Sequence, residues 1–147
     1  MNNLQTEAIT NFRSGLNCAQ SVIGVYSEKY GIDKSTAFMM SCGFGAGMGR
    51  LQETCGAVTG SFMAIGLHIC RKVSDNKERK EQSYALIREF DRRFKELHGT
   101  CRCADLLNLD LRTPEGQHEF HEKNMHETIC EKCIEDAVKI VENLIMS

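Results

Sequence analysis

Eight cysteines in 147 residues set the chemistry available to this chain. A thiolate attacks disulfides and ligates soft metals. In a chain without secretory features, so many thiols point to redox work or metal binding rather than to a disulfide framework. Two of them stand where thiolates form. Cys18 follows Asn17 and Cys55 follows Thr54, each pair reading as a capping residue and the first residue of a helix. The unsatisfied N–H groups and dipole at such a terminus lower a thiol pKa. Both are therefore candidate redox-active thiols. Cys130 and Cys133 form C-x-x-C on the last helix, on one face with Ile134, Ala137, Val141 and Leu144, so at least one thiol points inward. Cys101 and Cys103 precede "ADLLNLDL" and are too close in sequence to pair readily with each other, and Cys42 borders a glycine-rich loop. Cys70 sits toward a helix end, where the dipole disfavours a thiolate, and reads as a spectator. His118, His121, Cys130 and Cys133 make a competing set, H-x-x-H followed by C-x-x-C, a candidate zinc site. "HEFHE" matches neither HExxH nor HxxEH.

The loop "SCGFGAGMGRLQETCGAVTG", residues 41 to 60, carries Gly43, Gly45, Gly47 and Gly49 between Cys42 and Cys55. A phosphate-binding loop would need a strand before it or a Gly-Lys-Ser/Thr after it. "DKSTAFMM" reads as helix, and no such tripeptide follows. The glycines instead supply positive φ and let the backbone close beside thiols, with Gly43, Gly45, Gly47 and Gly56 as backbone donors to a bound group. Gly56, Gly60 and Ala64 recur every four residues, a strip of small side chains that lets another helix approach closely.

The elements that must position these groups are helical, because alternating β-branched runs are missing and spacings of three and four recur. The pattern predicts a short first helix through Leu4, Ala8 and Phe12, a second from Asn17 to Tyr30 closed by Gly31, and a third over 34–41. A fourth runs from Thr54 to about Lys72, and a fifth from Ser74 or Asp75 to Gly99. On the fifth, Tyr84, Ile87, Phe90, Phe94 and Leu97 make one apolar stripe, and Asp75–Arg79, Glu89–Arg93 and Asp91–Lys95 make i,i+4 ion pairs on the solvated face. Thr113 and Pro114 open another helix, and the last spans about Glu127 to Ile145. The expected fold is all-α: one domain over residues 1–147, a compact bundle of six or seven helices with a Gly-rich loop.

A net charge of −2 gives no footprint for nucleic acid. No apolar run reaches the ~20 residues of a membrane span, and the N-terminus lacks a signal-peptide pattern, so the expectation is a cytoplasmic protein without membrane insertion.

"NCAQSV" at 17–22, "FGAGMGRLQETCGAVTGSFMAIGL" at 44–67, "CADLLNLDL" at 103–111 and "CIEDAVKIVENL" at 133–144 together resemble the C_GCAxxG_C_C family of redox-active proteins, with "CGAVTG" carrying the signature. The resemblance implies a four-cysteine site at Cys18, Cys55, Cys103 and Cys133, with Cys101, Cys130 and Cys42 as second-tier candidates. It implies redox activity or prosthetic-group binding, with an iron–sulfur cluster as the expected cofactor and zinc as the alternative. The function expected is electron transfer or an oxidoreductase accessory role with a redox partner protein, and a homodimer is compatible with it. A metal-free thiol–disulfide protein, or a zinc-stabilised helical module, is the alternative.

Overall fold

A computed structural model describes residues 1–146. The described residues form an all-α bundle: α1 (Asn3–Arg13), α2 (Cys18–Tyr26), α3 (Lys34–Ser41), α4 (Gly56–Lys72), α5 (Asn76–His98), α6 (Cys103–Leu107), α7 (Pro114–Glu122) and α8 (Glu131–Ile145). The short α6 adds to the seven helices that periodicity predicts. Among the described residues no strand forms, and the one extended pairing is an isolated antiparallel bridge between Thr54 and Arg102.

Local chemistry sets most boundaries. Asn17 and Gln20 close a reciprocal capping box on α2: the Gln20 N–H donates to Asn17 Oδ1 at 2.8 Å, and the Asn17 N–H to Gln20 Oε1 at 2.9 Å. The helix ends at Tyr26, earlier than expected, and a 3₁₀ turn over Glu28–Tyr30 carries the chain to Gly31 at φ 83°. Asp75 caps α5 through the Glu78 N–H at 3.0 Å, and Gly99 closes it in the left-handed region. Thr113 caps α7 with Pro114 at its first position. The predicted Asp75–Arg79 pair does not form, because the Asp75 carboxylate is the cap and the Arg79 guanidinium donates to the carbonyls of Val73 (2.6 Å) and Cys70 (3.0 Å). Glu89–Arg93 and Asp91–Lys95 do form, at 3.1 and 3.0 Å.

Helix α2 packs on α1, α3 and α4, and α4 packs in turn on α5 and α8. The core holds Val22, Tyr26, Val58, Ile65, Phe90, Phe94, Ile134, Val138 and Val141, all fully buried. Each contributes about 1.5–3 kcal/mol by burial. The α5 stripe is narrower than its periodicity predicts. Phe90 and Phe94 stack at 5.9 Å inside the core, whereas Tyr84 and Leu97 stay more than half exposed. The small-residue strip of α4 meets α2 backbone to backbone. A Cβ on Gly60 would lie 2.8 Å from the Ala19 carbonyl oxygen, and one on Gly56 2.9 Å from the Ala19 nitrogen. Arg13 on α1 grips Glu131 at the start of α8 through two nitrogens, at 3.0 and 2.8 Å.

Candidate functional site

Five thiols from four separate segments meet at one cavity of about 320 Å³: Cys18, Cys55, Cys103, Cys130 and Cys133. Each arrives by a different local device. Cys18 is the first residue of α2, behind its capping box, and the Asn17 side chain also donates to the Cys42 carbonyl at 2.9 Å, fastening this helix start to the end of α3. Cys55 is itself the residue before α4, not the first helical residue. Thr54, expected as the cap, is occupied by its bridge to Arg102. That pairing also brings in Cys103: the Cys55 N–H donates to the Cys101 carbonyl at 2.8 Å and the Cys103 N–H to the Glu53 carbonyl at 2.7 Å. Cys133 lies one turn inside α8. Cys130 ends a π-helical turn, His126–Cys130, that precedes it, rather than continuing a regular α-helix from Glu127 as expected. A π turn rotates the residues before it relative to regular spacing, and such turns concentrate at functional sites.

The thiols interact in pairs. The Cys18 thiol contacts that of Cys130, and this contact together with burial raises the Cys18 pKa. Cys133 donates to Cys55, which lowers the Cys55 pKa, helped by the backbone amides of Ala57 and Val58 in the first turn of α4, and raises that of Cys133. Burial pushes the Cys103 thiol up to about 12. The Cys55 thiol is thus shifted toward its anion, first by Cys133 and then by the first-turn amides that the helix-terminus argument invokes. Cys18 departs from that expectation, because desolvation and its sulfur neighbour outweigh the helix dipole.

The glycine loop wraps this chamber. Residues Ala46 to Arg50 all have positive φ, a single left-handed turn closed by the Gly49 N–H on the Gly45 carbonyl at 2.8 Å. Ala46, Met48 and Arg50 adopt it without being glycine, at a cost of roughly 1 kcal/mol or more each. At Gly47 no other residue fits: a Cβ would sit 2.5 Å from Gln52 Cα and 2.7 Å from Cys103 Cβ. Buried Gln52 holds the far wall, donating to the Leu109 carbonyl and accepting from the Leu111 N–H, both at 2.8 Å. Of the four glycines expected at the site, Gly47 and Gly56 line the cavity. Gly45 instead seats the Asn17 side chain, and Gly43 faces open space.

Other candidates lie elsewhere. Cys101 is buried, but its thiol donates to Asp91 Oδ1 at 3.4 Å, and burial with that contact pushes it up to about 12. Cys42 and Cys70 are exposed and away from the cavity. The zinc candidates are not brought together. His118 is on the solvent face of α7, 3.6 Å from Glu122, whereas His121, Cys130 and Cys133 border the cavity. Among the described residues no group of three or more His, Cys, Asp or Glu side chains is gathered for a single metal ion. The cavity also recruits residues that sequence spacing did not single out, notably Arg50, Phe120 and His126, the last stacked on Phe12 at 3.9 Å.

The sequence model of the family described as "Putative redox-active protein (C_GCAxxG_C_C)" matches residues 16–144. The chain belongs to this family. Its cavity thiols include every cysteine that the family resemblance singles out, with Cys130 as a fifth. An uncharacterized protein of Archaeoglobus fulgidus is 32% identical over 114 residues, covering 72% of this chain and 76% of that protein. No solved structure matches. Among the described residues no helix is long and apolar enough to cross a membrane.

Proposed function

We propose that this member of the C_GCAxxG_C_C family holds an iron–sulfur cluster on Cys18, Cys55, Cys103 and Cys133 and transfers electrons to a partner protein. The observation that supports the reading is the convergence of thiols from four segments on one cavity. The donor set fits the group: soft sulfur ligands spread around a chamber suit a cluster whose irons each take their own thiolate. When bound, such a cluster accepts and returns a single electron.

The chain's own residues prepare the chamber. Ala57 and Val58 amides stabilise anionic sulfur at Cys55, and Gly47 and Gly56 let the backbone approach where any side chain would collide. Neighbouring thiols with burial at Cys18 and Cys133, and burial at Cys103, keep these three protonated until a cation compensates their charge, so loading releases protons and grows more favourable as pH rises. Substituting each of the four ligands by Ser lowers iron content in anaerobically purified protein, whereas Cys42→Ser and Cys70→Ser leave it unchanged. Four serine variants with wild-type iron and redox behaviour would sink the reading.

The Cys55–Cys133 contact favours a second reading, a metal-free dithiol protein. The Cys55 thiolate would attack a partner's disulfide and expel one partner thiolate. Cys133, deprotonated, would then attack Cys55 sulfur and release the second partner thiol, leaving a Cys55–Cys133 disulfide. Reversible loss of two free thiols in a colourless protein, abolished by Cys133→Ser, is the outcome expected of that reading alone.

A further inference from the structure

The thiols occupy only part of the cavity wall. Phe12, Leu106, Leu111 and Phe120 form an apolar lining, and Arg50 and His121 stand exposed at its rim. No Asp or Glu lines the cavity, and Arg50 has no acidic partner among the described residues. Three acidic side chains of the neighbouring segments are engaged elsewhere: Glu53 with Arg102 at 3.6 Å, Glu119 with Lys123 at 3.2 Å and Glu131 with Arg13 at 2.8 Å. His126 is held toward its neutral form by burial, and Arg50 is the one Arg or Lys among the lining residues. The backbone maintains this placement at a cost, since Arg50 is the last residue of the left-handed turn, at φ 64°. An apolar, partly enclosed space with a single unneutralised cation at its edge is the pattern of a small-molecule site. A guanidinium with free donors selects carboxylate geometry.

We propose that the cavity also binds a small organic carboxylate, its apolar body between Phe12, Leu111 and Phe120 and its anionic head on Arg50, so that the ligand lies against the thiols. None of Phe12, Arg50, Leu111 and Phe120 is among the proposed cluster ligands, so this site uses side chains that a cluster would not take. It gives the chamber a substrate-sized compartment next to its redox groups. A pure electron carrier has no need of one.

Phenylacetate and its neutral counterpart phenylacetamide probe the site by calorimetry on the full chain purified anaerobically. Phenylacetate binds about tenfold or more tighter than the amide, the difference expected of one charged hydrogen-bonded contact. Arg50→Gln, at an exposed position without bonds to lose, brings the two to the same affinity. Iodoacetamide labelling read by mass spectrometry then locates the ligand. A cluster takes at most four thiols, so at least one of the five remains free in either state. Phenylacetate slows labelling of the cavity thiols and leaves Cys42 and Cys70 unaffected. Equal affinities for acid and amide, no binding, or binding that leaves the cavity thiols as reactive as before would each overturn the proposal. Iron and sulfide content of the same sample is scored separately, so failure here is distinguishable from failure of the cluster reading.

Discussion

Two glycines of α4 are predicted to respond in opposite directions to the same substitution. A Cβ added at Gly66 meets nothing within 4 Å, so Gly66→Ala gains helix propensity alone, about 0.5–1 kcal/mol. A Cβ added at Gly60 meets the Ala19 carbonyl oxygen at 2.8 Å, Ala19 Cα at 3.2 Å and Val22 Cβ at 3.2 Å. Two of these atoms are backbone, so relief requires α2 to move away from α4 by roughly half an ångström in a close-packed interior. Overpacking of this kind costs about 2–3 kcal/mol, which exceeds the propensity gain and leaves a net loss of about 1–2 kcal/mol. For a chain of this length, thermal unfolding then shifts by about −3 to −6 °C for Gly60→Ala and about +2 °C for Gly66→Ala. The same displacement carries Cys18 away from Cys55, so iron content falls in Gly60→Ala and holds in Gly66→Ala. Differential scanning calorimetry with iron analysis on both variants decides the point. Equal shifts in Tm of the same sign would refute the claim that close α2–α4 contact builds the chamber.

Other perturbations follow from single contacts. Gln52→Ala strands the Leu111 N–H and the Leu109 carbonyl and loosens the cavity wall, at a cost of about 2–4 kcal/mol, read as a fall in urea midpoint; a midpoint within error of wild type would remove Gln52 from the account. The thiols also make stability pH-dependent. Cys101 and Cys103, both pushed up to about 12, and Cys18 and Cys133, also raised, keep protons when folded that the unfolded chain loses near ~8.5. Their contribution is complete below that pH and disappears as pH climbs toward the folded values. Cys55 has the opposite sign, its stabilisation present above the unfolded pKa and lost as pH falls through its lowered folded value. Above about pH 8.5 Cys55 is ionised in both states and adds no slope, so the stability of reduced, metal-free protein falls by up to ~1.4 kcal/mol per pH unit for each of the other four thiols, read as a declining Tm, and Cys103→Ala makes the fall shallower; a flat profile would contradict the burial argument.

What was legible in the sequence is what short-range chemistry decides. Asn17, Gly31, Asp75, Gly99 and Thr113–Pro114 end or begin helices through side chains and φ values a few residues away. The strip of Gly56 and Gly60 was readable as a close-contact face because its period matches the helix. What was not legible depends on distant partners. Thr54 looks like a cap until Arg102, nearly fifty residues on, takes it into a bridge, and the same bridge is why Cys103 reaches Cys55. Tyr84 and Leu97 continue the α5 stripe in sequence, but both side chains stay more than half exposed. Cys130 ranks second by the family resemblance, and its place beside Cys18 depends on the π turn at His126–Cys130, which regular helix spacing does not anticipate. Arg50 carries no sequence signal at all, since its place depends on a left-handed turn that includes three non-glycine residues.

The central claim is that the thiols of this chamber carry an iron–sulfur cluster. Iron and acid-labile sulfide per chain, with an absorption spectrum of protein purified without oxygen, test it most directly. The expected result is a brown protein absorbing near ~400 nm, with iron and sulfide in equal amounts at roughly two or four per chain. A colourless chain that still takes up neither after anaerobic reconstitution with iron and sulfide would contradict it.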